Sequence, residues 1–159
     1  GIFGDGAVGT PSITNTGDTD TGIYFSGADE ISLTTGGTQR LSVNSSGHLN
    51  HNGSASADIS ALTSASSVAV DFDTAQNFSL LLAHDVTISN PTNANVGQTG
   101  SIFITQSASS SHTVSFGSNW KFSGGTAPTA TSTNDAVDRL DYIVKSASEV
   151  HCVYSTNLS

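Results

Sequence analysis

The stretch Thr21–Asn50, TGIYFSGADEISLTTGGTQRLSVNSSGHLN, decides the reading of the chain. Ile23 and Phe25 share one strand face, then Ile31 and Leu33, then Leu41 and Val43. Turns fall at Ser26-Gly27, Gly36-Gly37 and Ser46-Gly47. Alternation at period two, bounded by Gly and Ser, is the sequence form of a meander of half-buried strands. Each repeat of about ten residues brings only about two large apolar side chains to a core, too few to offset the entropy of ordering it. The apolar face therefore needs a cover, from later parts of the chain or from other copies of it. That shortfall predicts an oligomer.

Composition agrees with a β fold. The 159 residues are rich in Gly, Ser, Thr, Asn and Ala and contain no Met. Such residues weaken helices by competing for backbone hydrogen bonds, while the regular Val, Ile, Leu and Phe alternation exceeds what a disordered chain needs. The formal net charge is −9, with Arg40, Lys121, Arg139 and Lys145 as the only fixed cations. Phosphate backbones are bound through clustered Lys and Arg, so no nucleic-acid partner is expected. No apolar run approaches the roughly 20 residues of a membrane span, so no membrane insertion is expected either. Cys152 is the single cysteine, which rules out an intrachain disulfide. The Gly-punctuated opening Gly1–Thr10 reads as mid-protein sequence and is taken as the start of a C-terminal piece of something longer.

Outward from the meander, Thr10–Asp20 is a turn-rich lead-in. Residues 1–52 are read as a short-strand meander region and residues 53–67, rich in Ser and Ala, as a linker. Residues 68–159 carry longer apolar segments: Val68–Phe72, Phe78–Leu82, Val86–Ser89, Ser101–Gln106 and His112–Phe116, the last two expected to be paired. Asp138–Lys145 and Val150–Tyr154 read as a hairpin. Strands at this spacing predict an antiparallel, jelly-roll-like β-sandwich head. The fold class is all-β.

Few constellations carry chemistry. Asp18-Thr19-Asp20 opens like a calcium loop but lacks the glycine and closing glutamate of that motif, so the aspartates read as turn residues. His48 and His51 fall in or just after a strand, where i and i+3 face opposite sides. They read as exposed, or as supplying one histidine per chain to an axial ion in a trimer. Asp71 and Asp73, and the run Asp135, Asp138 and Asp141, read as solvated acids on strand faces or edges, not as a glycosidase pair. Cys152 alternates with Val150 and Tyr154 and reads as a buried structural thiol. No cofactor or metal is assigned, and no enzymatic activity is expected. The remaining candidate is Asn119-Trp120-Lys121. A Trp beside an amide and an amine suits stacking on a sugar, with polar neighbours bonding its hydroxyls. The favoured reading is that the only Trp of a small β domain sits in its core or at a subunit interface.

The run PSITNTGDTDTGIYFSGADEISLTTGGTQRLSVNSSGHLN resembles a repeat of bacteriophage tail fibres, especially those of marine and cyanobacterial phages. The matching features are Gly17–Tyr24, the Gly27–Asp29 turn, the Thr35–Arg40 turn and strand, and the Ser45–Gly47 turn. Phe25-Ser26 stands where family members often have Arg-Pro. The segments GQTGSIFITQ, SFGSNWKFSGGTAPT and AVDRLDYIVKSASEVHCVY are similar to a recurring C-terminal domain of phage tail and fibre proteins. The resemblance implies a homotrimeric structural component of the virion that contacts other tail proteins. It further implies attachment to the host through a surface glycan or protein, with low affinity per site multiplied over several copies. The alternatives are a purely structural connector, a secreted bacterial adhesin and, further off, a polysaccharide depolymerase.

Overall fold

The computed structural model describes residues 1–158. The chain forms two compact units, Gly1–Ser56 and Ala57–Ser159, both built of strands. Unit 1 contains β1 (Gly6–Ala7), β2 (Thr10–Pro11), β3 (Ile13–Asn15), β4 (Asp18–Tyr24), β5 (Ile31–Thr35), β6 (Thr38–Val43) and β7 (Leu49–His51). The last five form an antiparallel meander in which each strand pairs with the next. Gly36 and Gly37 join β5 to β6 at φ +56° and +64°, a two-residue turn with both central residues left-handed, which favours glycine.

The register sorts the side chains of this sheet cleanly. Ile13, Ile23, Leu33 and Leu41 line up across four strands, and Ile31, Val43 and Leu49 form a second apolar row. Tyr24, Ser32 and Ser42 lie on the opposite face, as does Thr34 beside Gly22. That polar face is the covered one. Ser32 and Thr34 are each 1% exposed, whereas Ile31 and Leu33 are 44% and 40% exposed. The amino-terminal arm makes the cover: Phe25 N–H donates to the Asp5 carbonyl at 2.8 Å, and Thr34 Oγ1 to the Val8 carbonyl at 2.8 Å. Tyr24 Oη donates to Gln39 Oε1 at 2.6 Å, and Ser26 and Ser32 hydroxyls meet at 3.0 Å, so the covered polar groups find partners.

Unit 2 contains β8 (Ile59–Leu62), β9 (Ser67–Val68), β10 (Asn77–Leu81), β11 (Val86–Ile88), β12 (Thr99–Thr105), β13 (Val114–Phe116), β14 (Trp120–Lys121), β15 (Val137–Ser146) and β16 (Glu149–Ser155). From β8 to β13 the chain passes back and forth between two sheets. β8, β10 and β12 pair in parallel in one sheet, and β9, β11 and β13 pair in parallel in the other. An Asp71–Thr92 bridge ties the first winding to the second along a third line. The chain then reverses. β15 runs antiparallel to β12, β16 antiparallel to β15, and β14 closes the sheet in parallel with β16, in the order β14-β16-β15-β12-β10-β8.

Three expectations are corrected here. The head is not antiparallel throughout: a winding that encloses its core on one side and meets water on the other produces the same period-two alternation as an antiparallel sheet. For the same reason Ser101–Gln106 and His112–Phe116 are not partners but belong to different sheets. The segment read as a linker also contributes β8, paired to β10. Only Ile59 and Leu62 are large there, so its strand signal was thin. The Asp138–Lys145 and Val150–Tyr154 hairpin is present as β15–β16.

One apolar core fills the space between the two sheets of unit 2, from Val68, Val70 and Phe72 through Phe78, Leu80, Ile88, Ile102 and Leu140. Phe72 stacks on Tyr142 at 4.5 Å between ring centroids. Tyr142 Oη donates to the Gln76 carbonyl at 2.7 Å. Gly100 lets those groups approach, since a Cβ there would overlap the Gln76 carbonyl oxygen.

Candidate recognition surface

Asn119, Trp120 and Lys121 follow a tight turn anchored from a neighbouring winding. Asn90 Oδ1 accepts from Asn119 N–H at 2.8 Å, Gly117 N–H donates to the Ile88 carbonyl at 2.8 Å, and the Asn119 carbonyl accepts from Val150 N–H at 2.9 Å. β14 therefore leaves the turn in a fixed register against β16, and alternation sends its two side chains to opposite faces. Trp120 goes inward. It is 4% exposed, its indole N–H donates to the Ser89 carbonyl at 2.8 Å, and its ring meets Phe72 edge-on at 6.0 Å. The stacking role for Trp120 is corrected accordingly: the face a sugar would need is occupied by core aromatics. Asn119 is half-buried, and Lys121 is exposed with Nζ donating to the Ser118 carbonyl at 2.6 Å.

The structure adds a residue that the sequence did not single out. Phe122 is half-buried against Phe116, with centroids 4.8 Å apart, and lines three neighbouring shallow recesses. The first, about 280 Å³, is walled by Phe116, Trp120, Lys121, Phe122 and Gly125. The second, about 300 Å³, lies between Lys121, Phe122 and His151. The third, about 230 Å³ and mostly apolar, runs to Pro128, Val153 and Tyr154. None exceeds the lower end, about 300 Å³, of usual drug-sized sites. Together they offer an aromatic edge, one ammonium and one imidazole, which suits weak non-covalent contact. An aromatic two residues after the only Trp, before Gly-Gly, was the available signal.

The groups around this surface are poorly placed for nucleophilic chemistry. Burial pushes the Cys152 thiol up to about 12, and its Sγ lies 3.5 Å from the Val150 carbonyl. The neutral thiol is a poor nucleophile. Glu149 accepts from His151 Nε2 at 2.9 Å and from Lys145 Nζ at 2.9 Å; those two hydrogen bonds hold its carboxyl below its usual range.

The other candidates have local roles. Asp18 and Asp20 lie in β4 rather than in a loop, and the neighbouring Asp18 carboxyl pushes that of Asp20 up. His48 and His51 are both exposed. Asp71 Oδ1 accepts from Asp73 N–H and from Asn93 Nδ2, at 3.1 and 2.8 Å. Asp138 is corrected from a solvated edge acid to a buried one. It accepts from Thr131 N–H and Oγ1, Tyr154 Oη and Asn157 N–H at 2.7–2.9 Å. Burial pushes its carboxyl up, but these four bonds prevail and leave it below its usual range. Among the described residues, no three His, Cys, Asp or Glu side chains gather as a metal site. Comparisons with known protein families, curated proteins and solved structures find no match.

Proposed function

We propose that this chain is part of a bacteriophage tail fibre, a structural component of the virion that assembles as a homotrimer and takes part in non-catalytic attachment to the host cell. The observation that carries the reading is the open apolar face of the unit 1 sheet. Ile13, Ile31 and Leu33 are each at least 40% exposed while the opposite, polar face is covered. An ordered sheet with its apolar rows turned outward fits a subunit completed by its copies. The fibre-like motifs at Gly17–Tyr24 and Thr35–Arg40 support the same assignment. In unit 2 the first recess, walled by Phe116, Phe122 and Gly125, is the proposed contact with a surface glycan or protein, weak and multiplied by three copies. The two sheets facing one core would serve as the sandwich-like head that carries them.

Sedimentation equilibrium of the chain is expected to give a trimer at micromolar concentration, and a stable monomer would overturn the assembly. Fluorescently labelled protein should bind a subset of intact bacteria, and Phe122→Ala should reduce that binding. A second reading, a fibre connector without receptor contact, is favoured by the shallowness of the recesses and the sealed indole of Trp120. Trimers that bind no cell in a broad panel would decide for it.

A further inference from the structure

The outer face of the six-stranded sheet in unit 2 has an unusual make-up. Alternation along β8, β10, β12, β15 and β16 turns Ile59, Leu81, Phe103, Val137, Ile143 and Val153 outward, with Leu81 and Val153 exposed by 62% and 66%. The register sets these side chains around a polar centre. Phe103 lies beside Arg139, and Ser101 beside Asp141, which in turn neighbours Val153. A shallow depression between Asp141, Ile143, His151 and Val153 roughens this otherwise flat face.

Charge divides just as unevenly. Lys121, Arg139 and Lys145 all project from this face, against Asp141 and Glu149, so it carries +3 and −2. The rest of the chain keeps only Arg40 against the other 11 of its 13 acids. Apart from Lys121, these ions are paired within the face. Arg139 reaches Asp141 at 2.9 Å, Ser101 Oγ donates to Asp141 at 2.6 Å, and Lys145 and His151 both reach Glu149 at 2.9 Å.

We propose that this face is where unit 2 meets another copy of the same chain. The inference rests on the homotrimer reading and assigns it a surface. Two features choose a second copy over an acidic ligand. Cations already held by carboxylates offer little to an incoming anion, yet a neutralised ion pair is cheaper to cover than a lone charge. Two copies of a strongly acidic chain also repel least where the excess negative charge is absent. Size agrees: six strands at about 4.8 Å spacing span ~24 Å, a face of the order needed for the roughly 800 Å² per partner of a stable interface.

The test compares full-length chains by sedimentation equilibrium. Val153→Glu and Ile143→Glu each place an unpaired carboxylate on the face and should weaken assembly by about 100-fold or more. Thr87→Glu, exposed on the other sheet, should leave it unchanged. A wild-type trimer whose face variants assemble equally well would overturn this surface and leave the homotrimer standing. A monomeric wild type would overturn both. Carbethoxylation of the unaltered chain guards against misfolded variants. On assembly His151 should react about tenfold more slowly, while exposed His84 should not change. Equal slowing or none at His151 would count against the surface.

Discussion

The two units solve the same burial problem in opposite ways. In unit 2, Phe78, Leu80, Ile88, Ile102 and Leu140 are fully withdrawn from water between two sheets. In unit 1 the withdrawn side chains of the sheet are Tyr24, Ser32 and Thr34, and the isoleucines and leucines look outward. Both arrangements arise from strands alternating at period two. The difference is what lies on each side. The windings of unit 2 place a second sheet over the apolar positions. The arm of unit 1 brings backbone carbonyls and Pro11 to the other face, where hydroxyls are the natural partners. Unit 2 can thus draw its stability from its own core, while unit 1 leaves Ile13, Ile31 and Leu33 open to water.

The largest effect that would break this contrast is a core truncation in unit 2. Phe78→Ala removes a fully buried ring packed against Phe72. It should cost about 3–5 kcal/mol. Urea denaturation followed by Trp120 fluorescence reads unit 2, because that indole lies in its core. A loss under about 1 kcal/mol would mean that the core is not what holds this unit.

The buried carboxylate gives the next effect. Asp138→Asn keeps the shape but weakens four hydrogen bonds to a charged acceptor. The expected loss is about 2–3 kcal/mol at neutral pH. The folded state holds Asp138 below its usual range, so its contribution is complete above the unfolded value of about 4 and fades as pH falls through the lower folded value. Wild type should therefore lose stability over that acid interval, and the difference from Asp138→Asn should narrow there. A gap that is constant from pH 7 to about pH 3 would contradict this origin.

Such residues also show what sequence reveals. Alternation in Thr21–Asn50 marks the strands, and Gly36-Gly37 marks their turn, because these signals are local. Which face is covered depends on where Gly1–Ser12 lies, and nothing in Ile31-Ser32-Leu33-Thr34 encodes that. Parallel winding was hidden for a related reason: Phe78, Leu80 and Leu82 alternate alike whether their neighbour runs parallel or antiparallel. Asp138 looked solvated because its four donors come from Thr131, Tyr154 and Asn157, distant or across a strand pair. At the candidate surface, the amine of Lys121 beside Trp120 was visible, and its exposure comes from the structure. The core placement favoured for Trp120 follows from the register of β14 on β16, which no local signal encodes.

A smaller effect tests the polar side of unit 1. Thr34→Val preserves the branched shape but removes the hydroxyl that donates to the Val8 carbonyl at 2.8 Å. It should destabilise that unit by about 1–2 kcal/mol, since the carbonyl loses its partner while remaining close to buried groups. Amide exchange across β4 to β6 should speed up accordingly. An unchanged or slower exchange would show that an apolar residue is preferred there, and the inversion between the units would lose its energetic meaning.

The smallest effect on the isolated chain carries the most information about the contrast. Leu33→Ser alters a side chain already 40% exposed, so a dilute monomer should lose only about 0.5–1 kcal/mol. If the apolar row Ile13–Ile23–Leu33–Leu41 is covered by another copy, the same substitution acts once in every subunit of the assembly. Its effect then multiplies, and the concentration needed for assembly rises even though the monomer barely changes. Sedimentation equilibrium and monomer unfolding measured side by side separate the two. Large loss of assembly with little loss of monomer stability means that unit 1 keeps its apolar face for a partner. Equal and modest losses in both would instead make Leu33 an ordinary surface residue, and the outward rows would owe their exposure to the weak core of a small sheet.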